Sequence, residues 1–163
     1  LRHSDTVRGE IGGRLDTQLL AWRDPLTGLW NRRGLERWYA DTAQQRLGQP
    51  AAIHVIDLVG FQTVNDLMGH QAGDDVLCAV AGRLTRTVRT DDFVVRTGGD
   101  EFLIVQLDVA NEHDAQIMAE RIDEAVSSTI DYVGRIAGAM NNELNPQPTG
   151  KSASETLAAW LAK

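Results

Sequence analysis

Residues 92–107 consist of two apolar runs separated by the tetrapeptide Gly-Gly-Asp-Glu at residues 98–101. A glycine pair tolerates the positive φ angles of a tight hairpin turn, so the pattern predicts two antiparallel strands joined there. A third apolar run, over residues 51–59, predicts a buried strand that carries Asp57 near its end. Strands with apolar faces must pair and be covered, which restricts the chain to folds built around a sheet.

Segments with helical spacing of apolar residues alternate with these strands. Helices are predicted over residues 31–47, 61–69, 74–88, 111–128 and 152–163, and a further strand over residues 130–140. The last helix opens with a capping box from Ser152 to Glu155. The order α-β-α-β-β-α-β-α predicts one α/β sandwich domain with a largely antiparallel central sheet flanked by helices.

Residues 1–22 are predicted to form a helix ahead of the domain at residues 23–163, because apolar residues recur at helical spacing over residues 5–22. Two interpretations remain open: a terminal helix packed on the domain, or a connecting helix that joins an upstream sensor and self-associates. The chain begins with Leu1 rather than Met, and we expect a fragment of a larger parent. We recognise neither a signal peptide nor a membrane-spanning run. We therefore expect a cytoplasmic location without direct membrane contact by this fragment, although the parent could be membrane-anchored.

Net charge limits the partners that the chain can bind. The chain contains 16 Lys and Arg against 23 Asp and Glu, a net charge of -7 at pH 7, and it has no dense basic run. We therefore do not expect DNA, RNA or an anionic membrane as its main partner. An acidic chain can still bind a nucleotide when a divalent cation offsets the phosphate charge. The single cysteine, Cys78, excludes an internal disulfide and is predicted to be a buried, reduced thiol.

Three carboxylates are predicted to meet at one edge of the sheet. Asp57 ends one strand, and Asp100 and Glu101 lie at the hairpin turn. If that strand lies beside the hairpin, three hard oxygen donors converge, and such donors suit Mg²⁺ or Mn²⁺. A two-metal carboxylate cluster is a known solution for phosphoryl and nucleotidyl transfer. Taken alone, the same turn could be a solvated hairpin tip without function.

Several motifs together resemble the GGDEF (diguanylate cyclase) domain family. GGDEF itself occupies residues 98–102, DPLTGLWNRRGLE at residues 24–36 resembles the family's opening motif, and residues 57–77 resemble its nucleotide-binding block. The resemblance covers residues 24–126. It implies a fold like that of nucleotidyl cyclase catalytic cores and polymerase palms. It also implies condensation of two GTP into cyclic di-GMP and pyrophosphate by a two-fold homodimer, in which each subunit holds one GTP.

The resemblance assigns the catalytic chemistry to individual positions. The metal ligands that it implies for Mg²⁺ or Mn²⁺ are Asp57, the Leu58 carbonyl, Asp100 and Glu101. Asp100 and Glu101 are also the implied catalytic residues, and Glu101 would help to activate the attacking 3′-hydroxyl. Metal coordination or a nearby carboxylate lowers the barrier to losing that proton.

The resemblance also implies which residues contact the substrate. Asn65 and Asp74 match the guanine-binding positions, and amide and carboxylate groups suit the donors and acceptor of the guanine edge. The other implied substrate contacts are Phe61, Gln62, Gly98, Gly99 and Lys163. From the residues alone, Asp74 could instead cap a helix, and Asn65 could be a surface polar group.

A second site is predicted upstream of the hairpin. Residues 89–92 fit the family's RxxD motif, where the product binds and inhibits, with Arg89 and Asp92 as its ends. The extended run to Gly98 spans roughly 17 Å, which keeps this pair out of the active site. Such a tetrapeptide alone is usually a surface ion pair, and Asp91 could share the role of Asp92.

Several positions depart from the family pattern. Val59 replaces a second acid, Gln62 replaces a lysine that would face the phosphates, and residues 136–140 lack the usual serine. The last helix matches only the second half of the family's final motif and stops at Lys163, so the C-terminal part is degenerate or truncated. A second interpretation is therefore a catalytically weak or inactive module that binds cyclic di-GMP or GTP and regulates an attached domain. A third is a purely structural dimerisation domain.

Overall fold

The computed structural model describes residues 21–42 and 44–142. Its strands are β1 (Trp30–Asn31), β2 (Ala51–Asp57), β3 (Phe93–Gly98) and β4 (Glu101–Leu107). Its helices are α1 (Arg32–Thr42), α2 (Phe61–Met68), α3 (His70–Thr87) and α4 (Glu112–Asn142). Residues 1–20 of the first predicted helix lie outside the described residues, as does the predicted helix at residues 152–163 with Lys163.

The four strands form one mixed sheet in the order β1-β3-β4-β2. The predicted hairpin is confirmed, since β3 and β4 pair antiparallel across residues 98–101. β2 also pairs antiparallel with β4, over seven residue pairs from Ala51 opposite Leu107 to Asp57 opposite Glu101. Only β1 runs parallel to its neighbour β3, so the sheet is largely antiparallel as predicted.

The main core lies between one face of the sheet and helices α2, α3 and α4. Its most buried members are Val76, Val80 and Leu84 of α3, which recur on one helix face, and Phe102 and Ile104 of β4. The opposite face of the sheet meets α1, where the ring of Trp38 lies 4.3 Å from that of Phe93, centroid to centroid. None of the described helices has the length and apolarity needed to cross a membrane.

The prediction of a strand at residues 130–140 is wrong, because these residues continue helix α4 to Asn142. The sequence explains the difference. Apolar residues keep a spacing of three or four from Ile122 through Val126, Ile130 and Val133, which is the helical period. The β-branched residues of this segment had favoured a strand. The first proline after the segment is Pro146, so no proline ends the helix before Asn142.

Two local predictions on α3 are also wrong. The helix begins at His70 rather than at residue 74, because Gly69 adopts φ 86° and separates it from α2. Asp74 therefore lies inside the helix and does not cap it. Cys78 is exposed rather than buried, since it points away from the stripe of Val76 and Val80 that enters the core. Its thiol donates to the Leu26 carbonyl at 3.4 Å.

Candidate active site

The last residue pair of the β2–β4 ladder brings two carboxylates together. Asp57 ends β2 directly opposite Glu101, which begins β4, and both side chains are exposed. Side chains that face each other across antiparallel strands have Cβ atoms about 4.5–5.5 Å apart, and like charges in this position repel. The pairing therefore places negative charge where a cation would relieve it.

Asp100 lies in the turn, one residue before β4 begins. Within residues 21–42 and 44–142, no three His, Cys, Asp or Glu side chains lie close enough to share one metal ion. Asp100 is a residue of the turn and precedes β4, so the β2–β4 ladder fixes only Asp57 and Glu101 opposite each other.

The donors at this end of the sheet still fit a hard divalent cation. Mg²⁺ is commonly held by one or two protein carboxylates together with substrate phosphates and water. Asp57 and Glu101 supply two carboxylates, and the backbone of the buried Leu58 follows directly. The Leu58 carbonyl accepts a hydrogen bond from the Phe61 amide at 3.1 Å, which leaves its second lone pair for another partner.

Arg96 holds the glycine turn through hydrogen bonds to its backbone. Gly99 has φ 51°, in the left-handed region that glycine adopts without strain. The Arg96 guanidinium donates to the Gly99 carbonyl from Nε at 3.0 Å and from Nη2 at 2.6 Å. The Thr97 hydroxyl donates to one carboxylate oxygen of Glu101. The turn and its acid are therefore fixed by the two residues that precede Gly98.

Arg96 is itself anchored by Asp24 in the opening motif. Arg96 Nη1 lies 3.0 Å from Asp24 Oδ2, and the two side chains are only 12% and 16% exposed. The amide and hydroxyl of Thr27 donate to the same carboxylate oxygen at 2.8 and 2.7 Å. Burial on its own would raise the pKa of Asp24, but the Thr27 hydrogen bonds and the Arg96 charge hold this pKa below its ordinary value.

Sequence reasoning missed this Asp24–Arg96 pair. Asp24 lies in the opening motif and Arg96 lies two residues before GGDEF, but neither was assigned a role. They are 72 residues apart, and charge spacing along a chain identifies only pairs three or four residues apart on one helix. The available signal in the sequence was Arg96 itself, a cationic side chain two residues before the glycine pair of the turn.

Asn65 and Asp74 lie together at the α2–α3 junction. An ideal Cβ built on Gly73 would fall 1.9 Å from Asn65 Oδ1, so the amide side chain rests against the backbone next to Asp74. Both Asn65 and Asp74 are partly buried. The Phe61 ring, which belongs to the core, lies 3.2 Å from the same ideal Cβ position.

Gln62 is exposed and bonded within its own helix. Its Nε2 donates to Asp66 Oδ1 at 2.8 Å, which is an ordinary pairing four residues apart. The Gln62 amide is uncharged, so it does not supply the positive charge of the lysine that it replaces.

The Arg89–Asp92 motif lies at the other end of the hairpin. The Asp92 carboxylate accepts hydrogen bonds from the amides of Arg89 at 3.0 Å and Leu107 at 2.9 Å, and Leu107 is the last residue of β4. Arg89 is exposed and makes no ion pair with any described residue, so the surface ion pair considered for this motif does not form. The motif lies a whole strand length from Glu101, and Asp91 is exposed beside it.

Positive charge collects at the C-terminal part of α3, the helix that precedes this motif in the chain. A cavity of about 380 Å³ between α3 and α4 is lined by Arg83, Arg86 and Arg121, together with two hydroxyls and one acid. Burial and the neighbouring Arg86 lower the pKa of Arg83. In a chain of net charge -7, three arginines around one cavity are a local exception to the acidic surface.

Residues 21–136 match the family model for the diguanylate cyclase GGDEF domain, and the chain belongs to this family. It is 37% identical to the response regulator PleD of Caulobacter vibrioides over 130 residues, which cover 78% of this chain and 28% of PleD. The chain thus spans little more than a quarter of that relative's length.

Two solved structures share the fold. Diguanylate cyclase SiaD from Pseudomonas aeruginosa, solved with its activator SiaC, is 35% identical with a TM-score of 0.60 over 76% of this chain and 48% of SiaD. The coiled coil and GGDEF domain of DgcB from Caulobacter crescentus, solved with c-di-GMP, is 26% identical with a TM-score of 0.66, over 75% of this chain and 63% of that chain. The palm-like α/β fold expected from the sequence is therefore confirmed.

Proposed function

We propose that this domain is a diguanylate cyclase, which condenses two GTP into cyclic di-GMP and pyrophosphate with Mg²⁺ or Mn²⁺. The observation that carries the proposal is the pairing of Asp57 with Glu101 at the end of the ladder, beside the anchored glycine turn. The family membership supports the same reaction. Asp57, the Leu58 carbonyl and Glu101 would hold the cation, which when bound would offset phosphate charge and make the 3′-hydroxyl easier to deprotonate.

Glu101 is the proposed catalytic residue, with Asp100 in support at the turn. Because Thr97 occupies one oxygen of the Glu101 carboxylate, the other oxygen can accept the proton of the attacking hydroxyl or bind the cation. Gly98 and Gly99 place no side chain on the turn, so the backbone can approach the phosphates closely. Lys163 remains a proposed phosphate contact outside the described residues.

Asn65 and Asp74 are proposed to select guanine. The Asp74 carboxylate can accept from the N1–H and N2–H donors, and the Asn65 amide can donate to O6. Phe61 lies in the core beneath Gly73, and Gln62 is exposed on the same helix as Phe61. A cyclic product with two equivalent halves requires two such sites face to face, so we propose a two-fold homodimer as the active form.

We further propose that cyclic di-GMP inhibits the enzyme at Arg89 and Asp92. The free guanidinium of Arg89 can bind a guanine edge or a phosphate in bidentate fashion. The cavity of Arg83, Arg86 and Arg121 adds positive charge near a product that carries two phosphates. Each Asp92 oxygen accepts one backbone amide and keeps a lone pair for a further donor.

A product assay tests the main proposal. Nucleotide-free protein is incubated with GTP and Mg²⁺ at high concentration, and cyclic di-GMP is measured by chromatography and mass spectrometry. Glu101→Gln should reduce the rate by about 10²- to 10⁴-fold, because it removes a general base and a cation ligand. The matched control Glu112→Gln changes an exposed acid at the start of α4, beyond the opposite end of β4, and should leave the rate unchanged.

The absence of product from a confirmed dimer would overturn the cyclase proposal. The domain would then be the non-catalytic module considered from its sequence. Titration with cyclic di-GMP and with GTP, comparing wild type with Arg89→Ala, would establish which nucleotide such a module binds.

A further inference from the structure

The β3–β4 hairpin contains an irregularity close to the candidate active site. Arg96 pairs with Phe102. The next pair joins Gly98 to Glu101, so the register shifts by one residue between the two pairs. Thr97 is therefore the extra residue of a β-bulge, a feature that is frequent next to active sites and redirects a side chain there. The side chain to consider at this bulge is that of Thr97, since Gly98 has none.

The Thr97 hydroxyl contacts both the side chain and the backbone of Glu101. It donates to one oxygen of the Glu101 carboxylate and lies 3.3 Å from the Glu101 carbonyl oxygen. Among residues 21–42 and 44–142, no other side chain makes a hydrogen bond or an ion pair to this carboxylate. Thr97 is partly buried, whereas Glu101 is exposed. The hydroxyl therefore ties an exposed, rotatable acid to a residue that is fixed in the sheet.

We infer that Thr97 is a positioning residue, whose hydroxyl orders the Glu101 carboxylate and thereby strengthens the binding of a divalent cation. The inference rests on the proposed function, because it takes Asp57 and Glu101 as the ligands of that cation. Thr97 itself is not a ligand and acts only through Glu101. GGDEF begins directly after Thr97, so the family signature assigns this residue no role.

Two effects of the Thr97 hydrogen bond oppose each other. The hydroxyl competes with a cation for the carboxylate, but an ionised carboxylate has about four lone-pair sites, and one donor occupies only one of them. Ordering acts in the other direction, because glutamate is among the side chains that lose most rotamer entropy when they are fixed. Thr97 restricts Glu101 before a cation arrives, so less entropy is lost on binding. We therefore expect removal of the hydroxyl to weaken cation binding.

Manganese binding tests the inference without turnover. Nucleotide-free protein is titrated with Mn²⁺ alone, and electron paramagnetic resonance measures the free ion. Thr97→Val keeps the β-branched shape and removes the hydroxyl. It should weaken Mn²⁺ binding about 3- to 10-fold, which corresponds to the net contribution of one hydrogen bond. Thr97→Ser keeps the hydroxyl and should bind Mn²⁺ within about twofold of the wild type.

Thr85→Val is the matched control. It removes a hydroxyl that donates to the Ala81 carbonyl within α3, and it should leave Mn²⁺ binding unchanged. Circular dichroism establishes that each variant is folded, and Thr97→Ala takes the place of Thr97→Val if the latter does not fold. Unchanged or tighter Mn²⁺ binding without the Thr97 hydroxyl would overturn the inference. An equal loss in Thr97→Ser, or a wild type that binds no Mn²⁺, would overturn it as well.

The outcome is distinguishable from that of the product assay. A protein that forms no cyclic di-GMP but shows the expected dependence of Mn²⁺ affinity on Thr97 would overturn the cyclase proposal and keep the positioning role. A protein that forms cyclic di-GMP and binds Mn²⁺ equally well in wild type and Thr97→Val would keep the cyclase proposal and overturn this inference.

Discussion

At the residue scale, the candidate site depends on side chains that hold other groups in place. Asp24 holds Arg96, Arg96 holds the Gly99 carbonyl, and Thr97 holds Glu101. Positioning of this kind matters because a misplacement of about 1 Å can cost a hundredfold in rate. Asp24 and Arg96, which form an ion pair, are both largely buried, so the contribution of this pair to stability should be measurable as well.

Asp24→Asn should lower the free energy of unfolding by about 1–3 kcal/mol, because it leaves the partly buried Arg96 charge without its partner. Urea denaturation measures the difference. The matched control Asp41→Asn breaks the Arg37–Asp41 pair, whose side chains are 60% and 54% exposed. An exposed pair contributes at most about 1 kcal/mol. Equal losses for the two variants would show that the Asp24–Arg96 pair has no special role.

The Asp24 effect should disappear in acid. Burial raises the pKa of Asp24, but Thr27 and Arg96 outweigh burial and leave it below its ordinary value of 3.8. The stabilisation by the ionised carboxylate is therefore fully present above about pH 4 and is lost as the pH falls through the lower, folded-state pKa. Urea titrations of wild type and Asp24→Asn should converge as the pH falls below the folded-state pKa of Asp24. A difference independent of pH would exclude ionisation as its cause.

Gly73→Ala should weaken GTP binding at least about tenfold while the domain stays folded. The new methyl group would lie 1.9 Å from Asn65 Oδ1 and would push this amide away from the proposed guanine site. Isothermal titration with a non-hydrolysable GTP analogue measures the change. Gly82→Ala is the matched control in the same helix, because its nearest neighbour is 3.6 Å away and Ala is the better helix former. Unchanged affinity in Gly73→Ala would remove Asn65 from the proposed site.

At the element scale, the β3–β4 hairpin would separate the two proposed functions along one pair of strands. The glycine turn ends it at Glu101, and the Arg89–Asp92 motif lies beside its other end at Leu107. Asp92 serves the hairpin itself, since it binds the Leu107 amide, whereas the Arg89 side chain has no ion pair among the described residues. Substitutions at these two residues should therefore differ in kind.

Arg89→Ala should relieve inhibition by cyclic di-GMP and leave the free energy of unfolding within about 0.5 kcal/mol of the wild type. Asp92→Ala should also destabilise the fold by about 1–3 kcal/mol, because two backbone amides lose their acceptor. Product-inhibition curves and urea denaturation of both variants measure the two effects. Unchanged inhibition in Arg89→Ala would place the inhibitory site elsewhere.

At the scale of the whole molecule, the proposed reaction requires two copies of the domain, because each copy has a single Asp57–Glu101 pair at the end of one sheet. Cyclase activity per subunit should therefore rise with protein concentration and level off once the dimer predominates. Parallel sedimentation measurements give the dimer fraction. Activity per subunit that stays constant through the monomer range would contradict the dimer proposal.

The sequence alone determined the local elements of this protein. The glycine turn, the apolar runs and the helical spacing are local patterns, and the α/β class with its antiparallel hairpin followed from them. The family also followed from the sequence, because its motifs are contiguous stretches of residues. The same local signals were ambiguous at residues 130–140, where β-branched residues occur at helical spacing and the chain forms a helix.

Tertiary structure decided which distant residues meet. The β2–β4 register placed Asp57 opposite Glu101, and among the described residues no three His, Cys, Asp or Glu side chains lie close enough to share one metal ion. Packing of the opening motif on the hairpin joined Asp24 to Arg96 across 72 residues. Contacts between residues so far apart in sequence leave no periodic trace in it, so only the folded arrangement of the sheet and its helices could decide them.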